Sequence, residues 1–300
     1  MSEPEVVEKR FRCAVGALGA PMAGSAGEES SFLLIEYSGA WGRKALEESR
    51  LPEEVRVGLA EGAAEAGVRV MLIRRHGRSV ADSEEFRVFL CHASAHDPWV
   101  ETTRLGVAED LLDLDLDGLA AGRSTGLERY DDALLLVCTN GRRDACCAEF
   151  GRPVAAEVAA AHPEQTWEVT HLGGHRFASA MLTLPHGLSY GRLDPHSASL
   201  IADLTLEGRL DPMHLRGRTA YDAPVQAAEI ALLEELSLDR VDALDLAGSA
   251  AVGDGQTRVR FLHDGEQHTL MVTPRVGEAV RASCGDEKVK PAPGFLTERI

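Results

Sequence analysis

Lysine is almost missing from this chain of 300 residues. It stands at Lys9, Lys44, Lys288 and Lys290, and arginine supplies the rest of the 31 basic residues. With 48 acidic residues the net charge is −17. Such a balance excludes a general binder of nucleic acid or of an anionic membrane surface, and it suits electrostatic steering toward basic partners. No apolar run approaches twenty residues, so no membrane span is expected. The first ten residues, MSEPEVVEKR, are acidic and lead into no long apolar core. A secretory signal is therefore not expected, and the chain reads as cytoplasmic. Familiar catalytic signatures are missing as well. The glycine-bearing stretch Gly19–Ser25 lacks the lysine of a phosphate-binding loop. Ser189, His171 and Asp194 make a triad only on paper, because no G-x-S-x-G surrounds the serine.

What is present is a core-forming composition, 44% hydrophobic and 26% charged, enough for two or three domains. Apolar runs predict strands over 32–37, 68–74, 86–91 and 99–104, with helices over 52–66 and 107–120. The acidic LDLDLD within the last of these also reads as alternating strand. A second series follows: strand 133–138, helix 153–161, strands 167–171, 178–184 and 188–193, and helix 197–206. Both series run strand, helix, strand, strand, strand, helix, which is the thioredoxin core arrangement. The fold class expected is thus α/β, as two tandem thioredoxin-like units (residues 1–125 and 126–209). A small C-terminal α+β cap over 210–300 completes it, with a helix at 224–236 and strands at 257–262 and 267–272. The Asp264-Gly265 turn between those strands is a hairpin signal. The proline- and glycine-bearing tail after them reads as loop.

Six cysteines, two of them adjacent, do not make a disulfide scaffold. Cys91 reads as a buried strand residue, and Cys13 and Cys284 belong to no motif. Cys138 ends an apolar strand, at the carboxyl edge where open α/β sheets place their ligands. Cys147 precedes a helix whose Pro153 fits a first turn. The helix dipole, with Arg142 and Arg143, favours its thiolate. His171 ends a parallel strand at the same edge, and Gly173-Gly174 turns the chain so that His175 returns over the same spot. Two thiolates and two imidazoles from two short loops are the donor set of a transition metal or a small iron–sulfur cluster. Cys146, one residue short of Cys147, is an alternative donor or half of a vicinal redox pair.

Three segments, Cys138-x4-Arg143-Asp144-x2-Cys147, HLGGHRFA (171–178) and LPHGLSYGRL (184–193), resemble the sucrase/ferredoxin-like family of thioredoxin-like iron–sulfur proteins. The resemblance implies a [2Fe-2S] cluster held by Cys138, Cys147, His171 and His175, and it favours Cys147 over Cys146. The sucrase part of the family's name finds no carboxylate pair to support it. An electron carrier is then expected, rather than a catalyst with its own substrate. Two ferric irons, two sulfides and two thiolates sum to zero charge. The potential should therefore lie above that of plant-type ferredoxins, about −400 mV, and reduction should be coupled to proton uptake by a ligand histidine. A redox partner protein, for example a basic flavoprotein reductase, fits the negative charge. The rival expectations are a structural Cys2His2 Zn²⁺ site and a thiol–disulfide oxidoreductase using Cys146-Cys147.

Overall fold

The continuous apolar runs become central strands covered on both faces, as expected where a sheet carries layers on each side. Strand β1 (Ser31–Glu36) has Phe32, Leu33, Leu34 and Ile35 fully buried. The computed structural model describes residues 11–77 and 85–300, so the acidic chain start lies outside the described residues. A short helix α1 (Cys13–Gly16) comes first. After β1 follow helix α2 (Glu53–Ala66), strands β2 (Arg69–Arg74), β3 (Phe86–His92) and β4 (Trp99–Leu105), helix α3 (Leu116–Ala120) and a two-residue strand β5 (Glu128–Arg129). The second series is β6 (Leu134–Cys138), α4 (Ala145–Ala161), β7 (Thr166–Val169), β8 (Met181–Leu184), β9 (Leu188–Tyr190) and α5 (Pro195–Leu206). Strand β10 (Leu215–Arg218) and helix α6 (Ala223–Leu236) lead to four more strands, β11 (Asp245–Gly253), β12 (Gln256–His263), β13 (Glu266–Val280) and β14 (Lys290–Arg299).

The fold is mixed α/β. Ten strands form one sheet in the order β10-β9-β8-β6-β7-β2-β1-β3-β4-β5, and the last four form a second, antiparallel sheet. In the first half β1 pairs parallel with β2 and antiparallel with β3, which pairs with β4. In the second half β6 pairs parallel with β7 and antiparallel with β8, which pairs with β9. The two patterns meet where β2 and β7 run antiparallel, Ile73 opposite Val169 and Arg74 opposite Glu168. At this seam the buried Glu168 accepts from Arg74 at 2.7 Å and from Thr139 Oγ1 at 2.7 Å, and it bonds His76 Nδ1 at 2.8 Å.

Side-chain alternation sorts the core. Leu33 and Ile35 face α2 through Val55 and Leu59, whereas Leu135 and Val137 pack with Val154, Ala155 and Val158 of α4. On the other face Phe32, Leu34, Leu134, Leu136, Cys138 and Trp167 make one core that both halves share. Helix α6 is buried between the two sheets, against Val259, Phe261, Leu270 and Val272. Strand β10, from the expected cap, joins the large sheet beside β9.

Several expected elements change. The helix over 107–120 is instead a 3-10 turn over Ala108–Asp113 and the short α3. Asp115 breaks it by capping α3, its side chain accepting from Gly118 N, as aspartate favours caps over helix interiors. Helix α4 starts at Ala145, eight residues before the expected Pro153, which lies inside the helix. The strand over 188–193 ends at Tyr190, because Arg192 takes a left-handed conformation (φ 57°). The tail is sheet and not loop. Its prolines sit on β13 and on the edge strand β14, where a missing N–H is tolerated. The expected hairpin turn is present, with Asp264 and Gly265 both at positive φ.

His186, in the turn between β8 and β9, is lowered to a pKa of about 4 by burial and by Arg218. The unfolded chain protonates this ring below its ordinary 6.5, the folded chain only near 4. Stability present above pH 6.5 is therefore lost as pH falls toward 4. The thermal midpoint should drop between pH 7 and 5, and His186→Gln should flatten that drop by about 1–2 kcal/mol; an unchanged slope would remove His186 as a cause.

Candidate metal centre

The apolar pull on Leu134–Val137 fixes where β6 ends, and Cys138 is its last residue, opposite Val169 in the parallel register with β7. The chain then turns on Asn140, whose Oδ1 accepts from Arg142 N and Arg143 N and whose Nδ2 donates to Gly42 O at 3.1 Å. Asp144 caps α4 by accepting from Cys146 N at 2.9 Å. Cys146 and Cys147 thus lie in the first helical turn, not ahead of it. Gly151 lets the helix come close: a Cβ there would stand 2.1 Å from Cys138 O. That contact brings the start of α4 over the end of β6.

His171 lies two residues beyond β7, not within it. Its carbonyl accepts from Arg69 Nη2 at 2.6 Å. Gly173 and Gly174 both take left-handed backbone (φ 82° and 70°) and turn the chain to His175. Arg216 of β10, fully buried, clamps this turn. Its Nη1 donates to Gly173 O at 3.1 Å, its Nη2 donates to Ser25 O, and a Cβ on Gly174 would stand 2.6 Å from Nη2. Burial lowers its pKa to about 10, still well above neutral pH.

One ligand atom each from Cys138, Cys147 and His171 lies within 4.8 Å of the others. His175 falls outside that group, but its Nδ1 is 3.5 Å from Cys147 Sγ and its ring stacks on His171 at 4.4 Å between centroids. All four expected residues therefore meet. The cysteines are 3% exposed, while both histidines sit half-buried at the rim. The hydrogen bond from Cys147 holds Cys138 well below the ordinary thiol range, against burial and with help from His171. Cys147 is raised, by Cys138 first and then by burial. Burial, then His171, pushes His175 down to about 4, so its ring is neutral and free to donate a lone pair at neutral pH. Two sulfurs and two imidazoles, with no carboxylate among them, are donors that fit zinc or an iron–sulfur cluster. A cavity of about 290 Å³ opens beside His171, lined by Arg43, Lys44, Arg69 and Arg143 among others.

A family model described as sucrase/ferredoxin-like matches residues 22–217. The chain belongs to the sucrase/ferredoxin-like family. The matched span holds β1 to β9 and all but the last residue of β10, and with them Cys138, Cys147, His171 and His175. A further relative is "Altered inheritance of mitochondria protein 32" from the yeast Meyerozyma guilliermondii, 31% identical over 87 residues. The alignment covers 25% of this chain and 30% of that protein, so the chain spans under a third of the relative's length. No solved structure matches. Among the described residues no helix is long and apolar enough to cross a membrane.

Cys146 goes elsewhere. Its thiol points to Cys13 and Cys284, so the adjacent cysteines serve two different clusters. Its pKa falls to about 6, chiefly through the hydrogen bond from Cys13. Sequence reasoning missed Gly151 and Arg216, and it named Asp144 only as part of a motif, without its role as the cap of α4. Only Asp144 carried a readable signal, as a cap residue ahead of a helix-forming stretch.

Gly→Ala inside a helix ordinarily stabilises by about 0.5–1 kcal/mol. Gly151→Ala should reverse that sign and destabilise by about 1–3 kcal/mol, read as a lower urea midpoint. A raised midpoint would show that α4 does not depend on this contact.

Proposed function

We propose that this protein is an electron carrier holding one [2Fe-2S] cluster through Cys138, Cys147, His171 and His175. The convergence of these four side chains at one sheet edge, sulfurs inside and imidazoles at the rim, carries the reading. Family membership supports it, since the family's description names ferredoxins. The pairing pattern common to both halves supports reading them as tandem thioredoxin-like units, of which only the second bears donors.

When bound, such a cluster supplies one-electron transfer, and the negative charge of reduction raises the proton affinity of an imidazole beside it. The chain's own residues do the rest. Cys138 and Cys147 bring two thiolates into a buried position where water is excluded. His175 turns Nδ1 toward Cys147, which leaves Nε2 on the other edge of the ring to hold a proton. Arg216 fixes the glycine turn that sets both rings. The net charge of −17 steers a basic redox partner, such as a flavoprotein reductase. Close to His171 the surface is locally cationic, with Arg43, Lys44, Arg69 and Arg143, so the part of the partner that docks there is acidic or uncharged while its wider face is basic.

A single Zn²⁺ is the competing occupant, favoured by the 4.8 Å span of Cys138, Cys147 and His171. Anaerobic purification separates the two. The expected result is about two irons and two acid-labile sulfides per chain, a coloured protein, and a low-temperature EPR signal on reduction. Cys147→Ser should abolish the colour and Cys146→Ser should keep it. Zinc without sulfide at these residues would decide for the competitor. In the coloured protein the midpoint potential should fall as pH rises through the titration of a rim histidine; a flat profile would remove the proton from the reading.

A further inference from the structure

A second group of soft donors stands on the other side of the α4 start. Cys13 opens α1, Cys146 lies in the first turn of α4, and Cys284 belongs to the loop between β13 and β14. Their sulfurs form a triangle with edges of 3.7 Å (Cys13–Cys146), 3.2 Å (Cys146–Cys284) and 3.7 Å (Cys284–Cys13). Asp144 Oδ1 completes the group, 3.7 Å from Cys13 Sγ. All four donor atoms lie within 4.8 Å of one another. Sulfurs tetrahedral about one zinc at 2.3 Å stand about 3.8 Å apart; two of the three edges match that spacing and the Cys146–Cys284 edge is shorter.

We propose that Cys13, Cys146, Cys284 and Asp144 bind one Zn²⁺, as a structural site separate from the centre at Cys138, Cys147, His171 and His175. Three thiolates with a carboxylate are a zinc donor set. A disulfide between Cys146 and Cys284 takes only two of the three sulfurs and leaves Cys13 as a buried thiol. The carboxylate is already aimed: Oδ1 accepts from Cys146 N, and Oδ2 accepts from Ser283 Oγ and Cys284 N at 2.9 and 2.7 Å. Cys13 and Cys146 are fully buried, with Ala14, Phe150 and Ala178 packed around the cluster. Positive charge to offset the thiolates comes from the N-terminal end of α4, while Arg12 beside the group is paired with Glu149. The ion ties together three segments up to 271 residues apart, and it holds the helical turn that also carries Cys147.

The test is metal content of the full chain, purified anaerobically and dialysed against equimolar Zn²⁺. Expected is about one zinc per chain beyond any held by the first centre, lost about tenfold in both Cys13→Ser and Cys284→Ser. Visible absorption tracks the first centre independently, so a colourless protein whose zinc still depends on Cys284 overturns the cluster reading and supports this one. Zinc K-edge absorption of the unaltered chain, expected to show sulfur-dominated ligation, guards against variants that fail to fold. Zinc content unchanged in both variants overturns the proposal. So does a zinc-free wild-type chain, or one lighter by the two hydrogens of a Cys146–Cys284 disulfide.

Discussion

The hydrogen in place of a side chain at position 151 is the constraint on which the donor geometry depends. Helix α4 must lie against the last carbonyl of β6 for its first turn to reach Cys138, and any Cβ at 151 would occupy that space. From this contact follows the placement of Cys147 inward, beside Cys138 in the shared core. The division of the adjacent cysteines between two clusters follows too, since consecutive residues of a helical turn point about 100° apart. Asp144 adds to it by capping the helix with one oxygen and anchoring the loop of Cys284 with the other.

The main donor set was legible because its physics is local. Strand length, a tight glycine turn and the rule that parallel strands of a crossover end together suffice to bring Cys138, Cys147, His171 and His175 to one edge. The repeated strand–helix–strand pattern was legible for the same reason. What stayed hidden depends on distance in sequence. Cys13 and Cys284 carry no local signal, since they acquire meaning only where three remote segments meet. Arg216 looks like one arginine among many until β10 is placed beside β9. The tail failed for another reason: proline and glycine mark loops in the middle of a sheet but are tolerated on its edges. Asp115 shows a third kind of failure, where a strong hydrophobic period was interrupted by a side chain that prefers to cap.

The two halves share one pairing pattern and differ in what they carry. At the end of β1, the counterpart of Cys138, stand Glu36 and Tyr37, and His76, two residues past β2 as His171 is past β7, is bonded to Glu168. The first half serves the second instead. Gly42 accepts from Asn140, Arg69 bonds the His171 carbonyl, and the 43–47 stretch walls the cavity beside that ring. A seam of two residue pairs between β2 and β7 would be weak alone. Glu168, bonded at once to β2 and to the loop after β6, makes it a polar junction with little freedom to slide.

Burial of the sulfurs with exposure of the rings gives the centre a front and a back. For the electron carrier proposed above this matters, because tunnelling weakens steeply with each ångström of intervening protein and a docked molecule would exchange quickly only over the imidazole edges. From behind, the path crosses the thickness of α4 and the packed layer beneath it. On that reading the direction of approach is set by which atoms are left in contact with water, next to the cavity that opens beside His171.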